Sequence, residues 1–164
     1  MAASIVPAME TLQVERAGGV VTVTFNRPHK KNAINGVMWD ELLTLATALA
    51  GSAEDRCVVL TGAGGDFCSG ADLSDGGARP GHQLAAMRRV NAVVKAFHEL
   101  PQPTVAKVDG VAAGVGMNLA LGCDLVIASD ERMQSFAQRV AFAGAHAQPR
   151  LDAVGELVRA ARRE

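Results

Sequence analysis

Apolar positions along the chain repeat with two different periods. Thr11 to Arg16 and Val20 to Phe25 are short runs, the second alternating valine with threonine, and Ala17-Gly18-Gly19 lies between them. Alternation on both sides of Gly-Gly predicts a β-hairpin whose second strand has a core face and a less apolar face. Asn26-Arg27-Pro28 closes that strand, because proline restricts the residue before it. From Val37 to Ala50 the period changes to three and four: Met38, Leu42, Leu45 and Leu49 share one face, with Trp39 and Leu43 widening it. This predicts an amphipathic helix capped by Asn35 and ended at Gly51-Ser52. A short apolar run, Cys57 to Leu60, reads as a buried strand. His82 to Leu100 carries Leu84, Met87, Val90, Val94 and Phe97 at helical spacing and stops before Pro101 and Pro103. A strand opening at Val105, a helix over Met117 to Gly122 and a strand over Leu125 to Ala128 complete the legible part. The order strand, strand, helix, strand predicts a repeating ββα organisation within one α/β domain.

The chain has 164 residues, 49% of them hydrophobic, enough to bury one core. Its net charge of −1, from 16 basic and 17 acidic residues, gives no reason to expect nucleic acid or a membrane surface as partner. Cys57, Cys68 and Cys123 are odd in number and lack Cys-x-x-Cys or Cys/His spacing, so they are expected as reduced thiols, with no metal and no disulfide. No basic, apolar leader opens the sequence and no stretch reaches spanning length, from which a soluble cytoplasmic protein is expected. His82 and His98 sit at helix ends and are expected to be solvated or capping residues. No Gly-x-Ser-x-Gly nucleophile motif accompanies them.

Chemistry concentrates in two loops. Val58 to Leu73 runs from a strand directly into Gly62, Gly64, Gly65 and Gly70, and Val105 to Asp124 runs from a second strand into Gly110, Gly114 and Gly116. Glycine removes side-chain bulk and permits positive φ. Such loops are either tight turns or places where exposed amides beside a rigid strand meet a developing negative charge. Three segments decide between these. They are Asn26-Arg-Pro with Asn32-Ala33; Leu60-Thr-Gly-Ala-Gly with Phe67-Cys-Ser-Gly-Ala-Asp-Leu73; and Pro103-Thr-Val-Ala-Lys-Val-Asp-Gly110 with Gly114, Gly116, Leu119-Ala120 and Cys123-Asp124. In this order and spacing they resemble the enoyl-CoA hydratase/isomerase family, also called the crotonase family, over roughly Thr11 to Phe136.

The resemblance implies a ClpP/crotonase-like ββα spiral core over residues 1–136, incomplete at the C-terminus, followed by a divergent Ala/Arg-rich tail over 137–164. In that tail only Leu151, Val154, Leu157 and Ala161 suggest a short helix, and its abrupt composition fits a shifted reading frame or an internal stop. The resemblance further implies an acyl-CoA thioester as substrate, coenzyme A entering only as part of it, with no permanently bound cofactor. The N–H groups of Ala71 and Val115 would form an oxyanion hole stabilising an enolate. Valine replaces the family's usual glycine at 115, and its branched side chain would crowd the acyl group. Arg27, Lys30, Asn32 and Ala33 would lie along the coenzyme, with phosphate contacts from the basic side chains. Ser69, Gly70, Asp72, Leu73 and Gly114 would line the substrate. Asn118 occupies the position of the family's first glutamate and cannot exchange a proton at neutral pH. No Pro-Glu pair follows Phe136, so the second glutamate has no match either. The alternative is therefore a catalytically silent acyl-CoA binding or assembly protein. The family's trimers and hexamers imply a homo-oligomer, although the matching C-terminal contacts are missing, and apolar faces along Leu84 to Phe97 and Met117 to Leu121 are expected to stay partly uncovered.

Overall fold

A computed structural model describes residues 8–74 and 83–128, with side chains from residue 87 onward in the second segment. Five strands form one sheet in chain order: β1 (Leu12–Ala17), β2 (Val20–Phe25), β3 (Cys57–Gly62), β4 (Thr104–Val108) and β5 (Leu125–Ala128). β1 and β2 pair antiparallel, and Ala17 faces Val20 across a two-residue turn. Gly18 and Gly19 both take positive φ, 56° and 81°, as a primed hairpin turn requires. Every later pairing is parallel, β2 with β3, β3 with β4 and β4 with β5. The returns are made by helices α1 (Gly36–Ala50), α2 (Gln83–His98) and α3 (Val115–Gly122).

The ββα repeat becomes visible in two isolated parallel bridges, Ile34 with Ala71 and Cys68 with Ala112. Each unit is a long strand, a short bridging segment and a helix: β2, Ile34, α1; then β3, Cys68 to Ala71, α2; then β4, Ala112, α3. The bridging segments lie side by side and carry the two glycine loops, so the repeat itself brings those loops together. This is the repeating ββα organisation expected from the order of elements in the sequence.

Alternation sets the two faces of the sheet. Val21, Val23 and Phe25 of β2 are fully buried while Thr22 and Thr24 are not. Val58, Leu60 and Ala106 continue the buried face, on which Met38, Leu42, Leu45 and Leu49 of α1 and Val93 and Phe97 of α2 complete the core. Phe25 and Phe67 meet edge to face with ring centroids 5.3 Å apart, tying the first glycine loop to the sheet. Asn35 caps α1 by accepting the Met38 N–H at 3.0 Å. At the other end Gln102 donates to the carbonyls of Leu49, in the last turn of the helix, and of Ser52, just beyond it.

Three details differ from the reading of the sequence. Leu43 does not widen the apolar face of α1; it lies on the flank, 40% exposed. β1 opens at Leu12 because the Glu41 carboxylate of α1 takes both the N–H and the hydroxyl of Thr11. α3 begins at Val115 instead of Met117, since Gly114, at φ 53°, turns the chain straight into the helix. His98 is exposed, with its Nδ1 2.9 Å from the Gly122 carbonyl oxygen. Met87 and Ile127 are more than half exposed, whereas Met117 and Leu121 pack partly against the core. His82, the Leu84 side chain, the glycine-rich turn after Ser74 and the whole tail from Ala137, with its proposed helix, lie outside the described residues.

Candidate functional site: two glycine loops in contact

The two loops are joined by a ladder of backbone hydrogen bonds. Phe67 donates to the Asp109 carbonyl (2.7 Å), Cys68 to that of Val111 (2.8 Å), and Ala113 returns a bond to that of Cys68 (3.0 Å). Five glycines make this approach possible, for two different reasons. Gly64, Gly65 and Gly70 have positive φ. Gly62 is extended, at φ −123°, and is required for space: a Cβ there would collide with the Asp66 and Phe67 carbonyl oxygens. Gly116 likewise sits against Cys68, where a Cβ would meet the Cys68 carbonyl oxygen and side chain.

At the end of the ladder the loops touch. A Cβ on Gly70 would lie 3.1 Å from the Ala113 carbonyl oxygen, and one on Gly114 3.8 Å from the Gly70 Cα. The next residue in each loop is Ala71 and Val115. Gly70 gives its carbonyl to Ile34, and Asp72 donates its N–H to the Ile34 carbonyl. Among the described residues the N–H groups of Ala71 and Val115 have no protein acceptor. Val115 is the first residue of α3, so its N–H is one of those a helix leaves without an internal partner. Val115 is 7% exposed and belongs to the core cluster. Ala71, Leu73, Gly114 and Asn118 are exposed. Leu73 is 92% exposed, an apolar side chain standing beside Ala71.

The basic loop serves chiefly to build this site. Arg27 donates from Nη1 to the Asp72 carboxylate at 2.9 Å and to the Ala33 carbonyl, and its side chain is 13% exposed. Asn32 is fully buried. Its Oδ1 accepts the Arg27 N–H, and its Nδ2 donates to the Ala63 and Asp66 carbonyls, at 2.8 and 2.6 Å. Lys31 and Asn32 both occupy the left-handed region, at φ 49° and 55°, a conformation that non-glycine residues adopt at some cost and that these bonds hold in place. Ala33 is buried, and its N–H donates to the Lys30 carbonyl. Ser69 donates its N–H to Lys31 and its hydroxyl to the Lys30 carbonyl, strapping the basic loop to the first glycine loop. His29, Lys30 and Lys31 are exposed, and the Lys30 ammonium lies 3.2 Å from the Ser74 hydroxyl. The resemblance implies Arg27 and Asn32 as ligand contacts; in the structure both also bond to neighbouring loops.

Asp72 is the electrostatic centre of that framework. The Ser74 hydroxyl donates to its Oδ1 at 2.6 Å, the Ser74 N–H adds a bond at 3.0 Å, and Arg27 compensates its charge at Oδ2. Ser74, and after it Arg27, hold the carboxyl at about 2 against an ordinary 3.8, although burial acts in the opposite direction. A depressed pKa stabilises the fold above the ordinary value, and that contribution is lost as pH falls from about 4 toward 2. Thermal unfolding across this window is expected to show Asp72→Asn destabilised relative to the parent at neutral pH, with the difference closing toward pH 2. A difference that stays constant over the window would contradict the assignment.

No group of three His, Cys, Asp or Glu suited to a metal occurs among the described residues. Burial pushes the Cys68 thiol up to about 11 and that of Cys123 to about 12, and raises Cys57, so these thiols are protonated and poor nucleophiles at neutral pH. Asp124 accepts both the N–H and the hydroxyl of Thr104 at 2.8 Å, locking β5 beside β4. No helix among the described residues is long and apolar enough to cross a membrane. Asn118 stands on the first turns of α3 with its N–H donated to the Gly114 carbonyl, next to the loop contact but with a neutral amide where acid–base chemistry would need a carboxylate.

The chain is similar to several known proteins. The 1,2-epoxyphenylacetyl-CoA isomerase of Escherichia coli (strain K12) is 40% identical over 116 residues, which are 68% of this chain and 44% of the relative. The 4-chlorobenzoyl coenzyme A dehalogenase-1 of an Arthrobacter species is 32% identical over 124 residues, 73% of this chain and 45% of the relative. The crystal structure of enoyl-CoA hydratase from Bacillus anthracis superposes with a TM-score of 0.68 at 34% identity, covering 73% of this chain and 47% of that one. The chain thus spans about half the length of the relatives it matches. A family model described as enoyl-CoA hydratase/isomerase matches residues 15–154, running past Phe136, where the legible motifs end. On fold, loop contact and this match together, the chain belongs to the enoyl-CoA hydratase/isomerase, or crotonase, family.

Proposed function

We propose that the chain binds an acyl-CoA thioester with its carbonyl oxygen between the N–H groups of Ala71 and Val115, so that negative charge developing on that oxygen is stabilised. The single observation that supports this reading is the contact of Gly70 with Ala113 and Gly114, next to which the N–H groups of Ala71 and Val115, one from each loop, have no acceptor among the described residues. Two donors fixed in advance favour an enolate over the neutral thioester, because they need no reorganisation when charge appears. Leu73 offers an apolar surface beside this point, and the exposed Lys30 and Lys31 offer cations to the phosphates of the coenzyme. Relatives named as an isomerase and a dehalogenase of CoA thioesters fit a shared carbonyl site with different proton chemistry around it. A second reading, an acyl-CoA binding protein without turnover, is favoured by Asn118. Coenzyme A is in either case part of the ligand.

Calorimetry with crotonyl-CoA, free crotonate and free coenzyme A tests the ligand class. Crotonyl-CoA is expected to bind at least about tenfold more tightly than either fragment, a difference of roughly 1.4 kcal/mol. Equal or undetectable binding of all three to folded protein would overturn the reading.

A further inference from the structure

We infer that Asp66, a residue outside the carbonyl site, is a positioning residue that sets the separation of the two N–H groups by pinning the second glycine loop to the first; this rests on the acyl-CoA reading above. The Asp66 Oδ1 accepts the Val111 N–H at 2.8 Å across the gap between the loops. Its own carbonyl is held by the buried Asn32 amide at 2.6 Å, so the residue is fixed from behind before it reaches forward. Gly110, at φ 57°, lies directly against it; a Cβ there would collide with the Gly65 carbonyl oxygen and the Asp66 carboxylate. The chain of contacts is therefore Asn32, Asp66, Val111. From Val111 the backbone ladder continues through Cys68 and Ala113 to the point where Gly70 meets Gly114.

The side-chain bond fills a gap that the backbone ladder leaves. Phe67, Cys68 and Ala113 donate along the ladder, whereas the Val111 N–H, one step into the second loop, takes a carboxylate oxygen as its acceptor. A carboxylate acceptor makes a stronger bond than a carbonyl would. Without it Val111 loses its acceptor, the second loop is free to rotate about Gly110, and the start of α3 moves with it. Asp66 does not touch the ligand; it acts on the carbonyl through the placement of Val115.

The test uses Asp66→Ala and Asp66→Asn in the full chain, with two readouts. The first is amide hydrogen exchange at Val111, expected to accelerate at least about tenfold in D66A and to stay near the parent rate in D66N, whose amide oxygen still accepts. The second is the infrared carbonyl band of bound ¹³C-labelled crotonyl-CoA. It is expected to shift to lower frequency in the parent and in D66N, and to return most of the way to the free-ligand position in D66A. If D66A fails to fold, Asp66→Ser, one bond too short to reach Val111, takes its place. A full parent-like shift in a folded D66A or D66S protein would overturn the inference while leaving the acyl-CoA reading intact. Absence of any shift in the parent would overturn both.

Discussion

Purified protein is expected to hydrate crotonyl-CoA very slowly. Hydration requires one group to take a proton from water and another to deliver a proton beside the carbonyl, and each such group is commonly worth about 10²–10⁴-fold in rate. The position on α3 that would present the first of them carries Asn118, exposed at the mouth of the loop contact, and no Pro-Glu pair occurs in the sequence to supply the second. On the proposed reading two donors at the carbonyl remain, and they would polarise the thioester without moving a proton. Loss of the enoyl absorbance should therefore proceed far below the ~10 s⁻¹ of an ordinary enzyme. Asn118→Glu, which restores one proton-transfer group on an exposed position of a helix already formed, should raise the residual rate by at least about tenfold, toward the lower end of the acid–base range. Wild-type turnover near 10 s⁻¹ would show that another residue carries the chemistry.

Gly62→Ala is expected to damage the fold more than any exposed substitution. The methyl group would be driven into the carbonyl oxygens of Asp66 and Phe67 and to within 2.8 Å of the Asn32 amide nitrogen, and backbone cannot step aside as a flexible side chain can. Overpacking of this kind costs about 3 kcal/mol, which for a domain of this size is roughly 6–12 °C in Tm. Gly116→Ala, which meets the Cys68 carbonyl and Sγ, should behave similarly. Gly51→Ala is the matched control: its φ is −88° and the nearest atoms to the new methyl lie at 3.8 Å, so it should be neutral or slightly stabilising. A melting temperature for G62A within about 2 °C of G51A would contradict the close approach of the loops.

The parts of this molecule that were legible from sequence are those decided within a few residues. Gly18-Gly19 announces the hairpin because a two-residue turn needs positive φ at both positions, and Asn35 announces α1 because its side chain finds an N–H three residues on. The start of α3 was read two residues late for the same reason in reverse. Gly114 carries no side chain to cap with, so the turn into the helix leaves no polar signal. Arg27 and Lys30 look alike as charges, yet one is compensated by Asp72, forty-five positions away, and the other is exposed. The Asp66 to Val111 bond also spans forty-five positions, and nothing local to Asp66 distinguishes it from a turn residue. The positions of Ala71 and Val115 came from a resemblance of motifs. Their N–H groups emerge as unpartnered only when the ladder between the loops accounts for their neighbours.

The carbonyl contact itself is tested most directly by comparing a crotonyl-CoA thioester with the matching thioether, in which the carbonyl oxygen is absent and the acyl chain and coenzyme are kept. Two hydrogen bonds of about 1 kcal/mol each predict that the thioether binds roughly 30-fold more weakly. Equal affinity of thioester and thioether, measured by calorimetry on the same folded preparation, would mean that the N–H groups of Ala71 and Val115 do not hold the carbonyl oxygen.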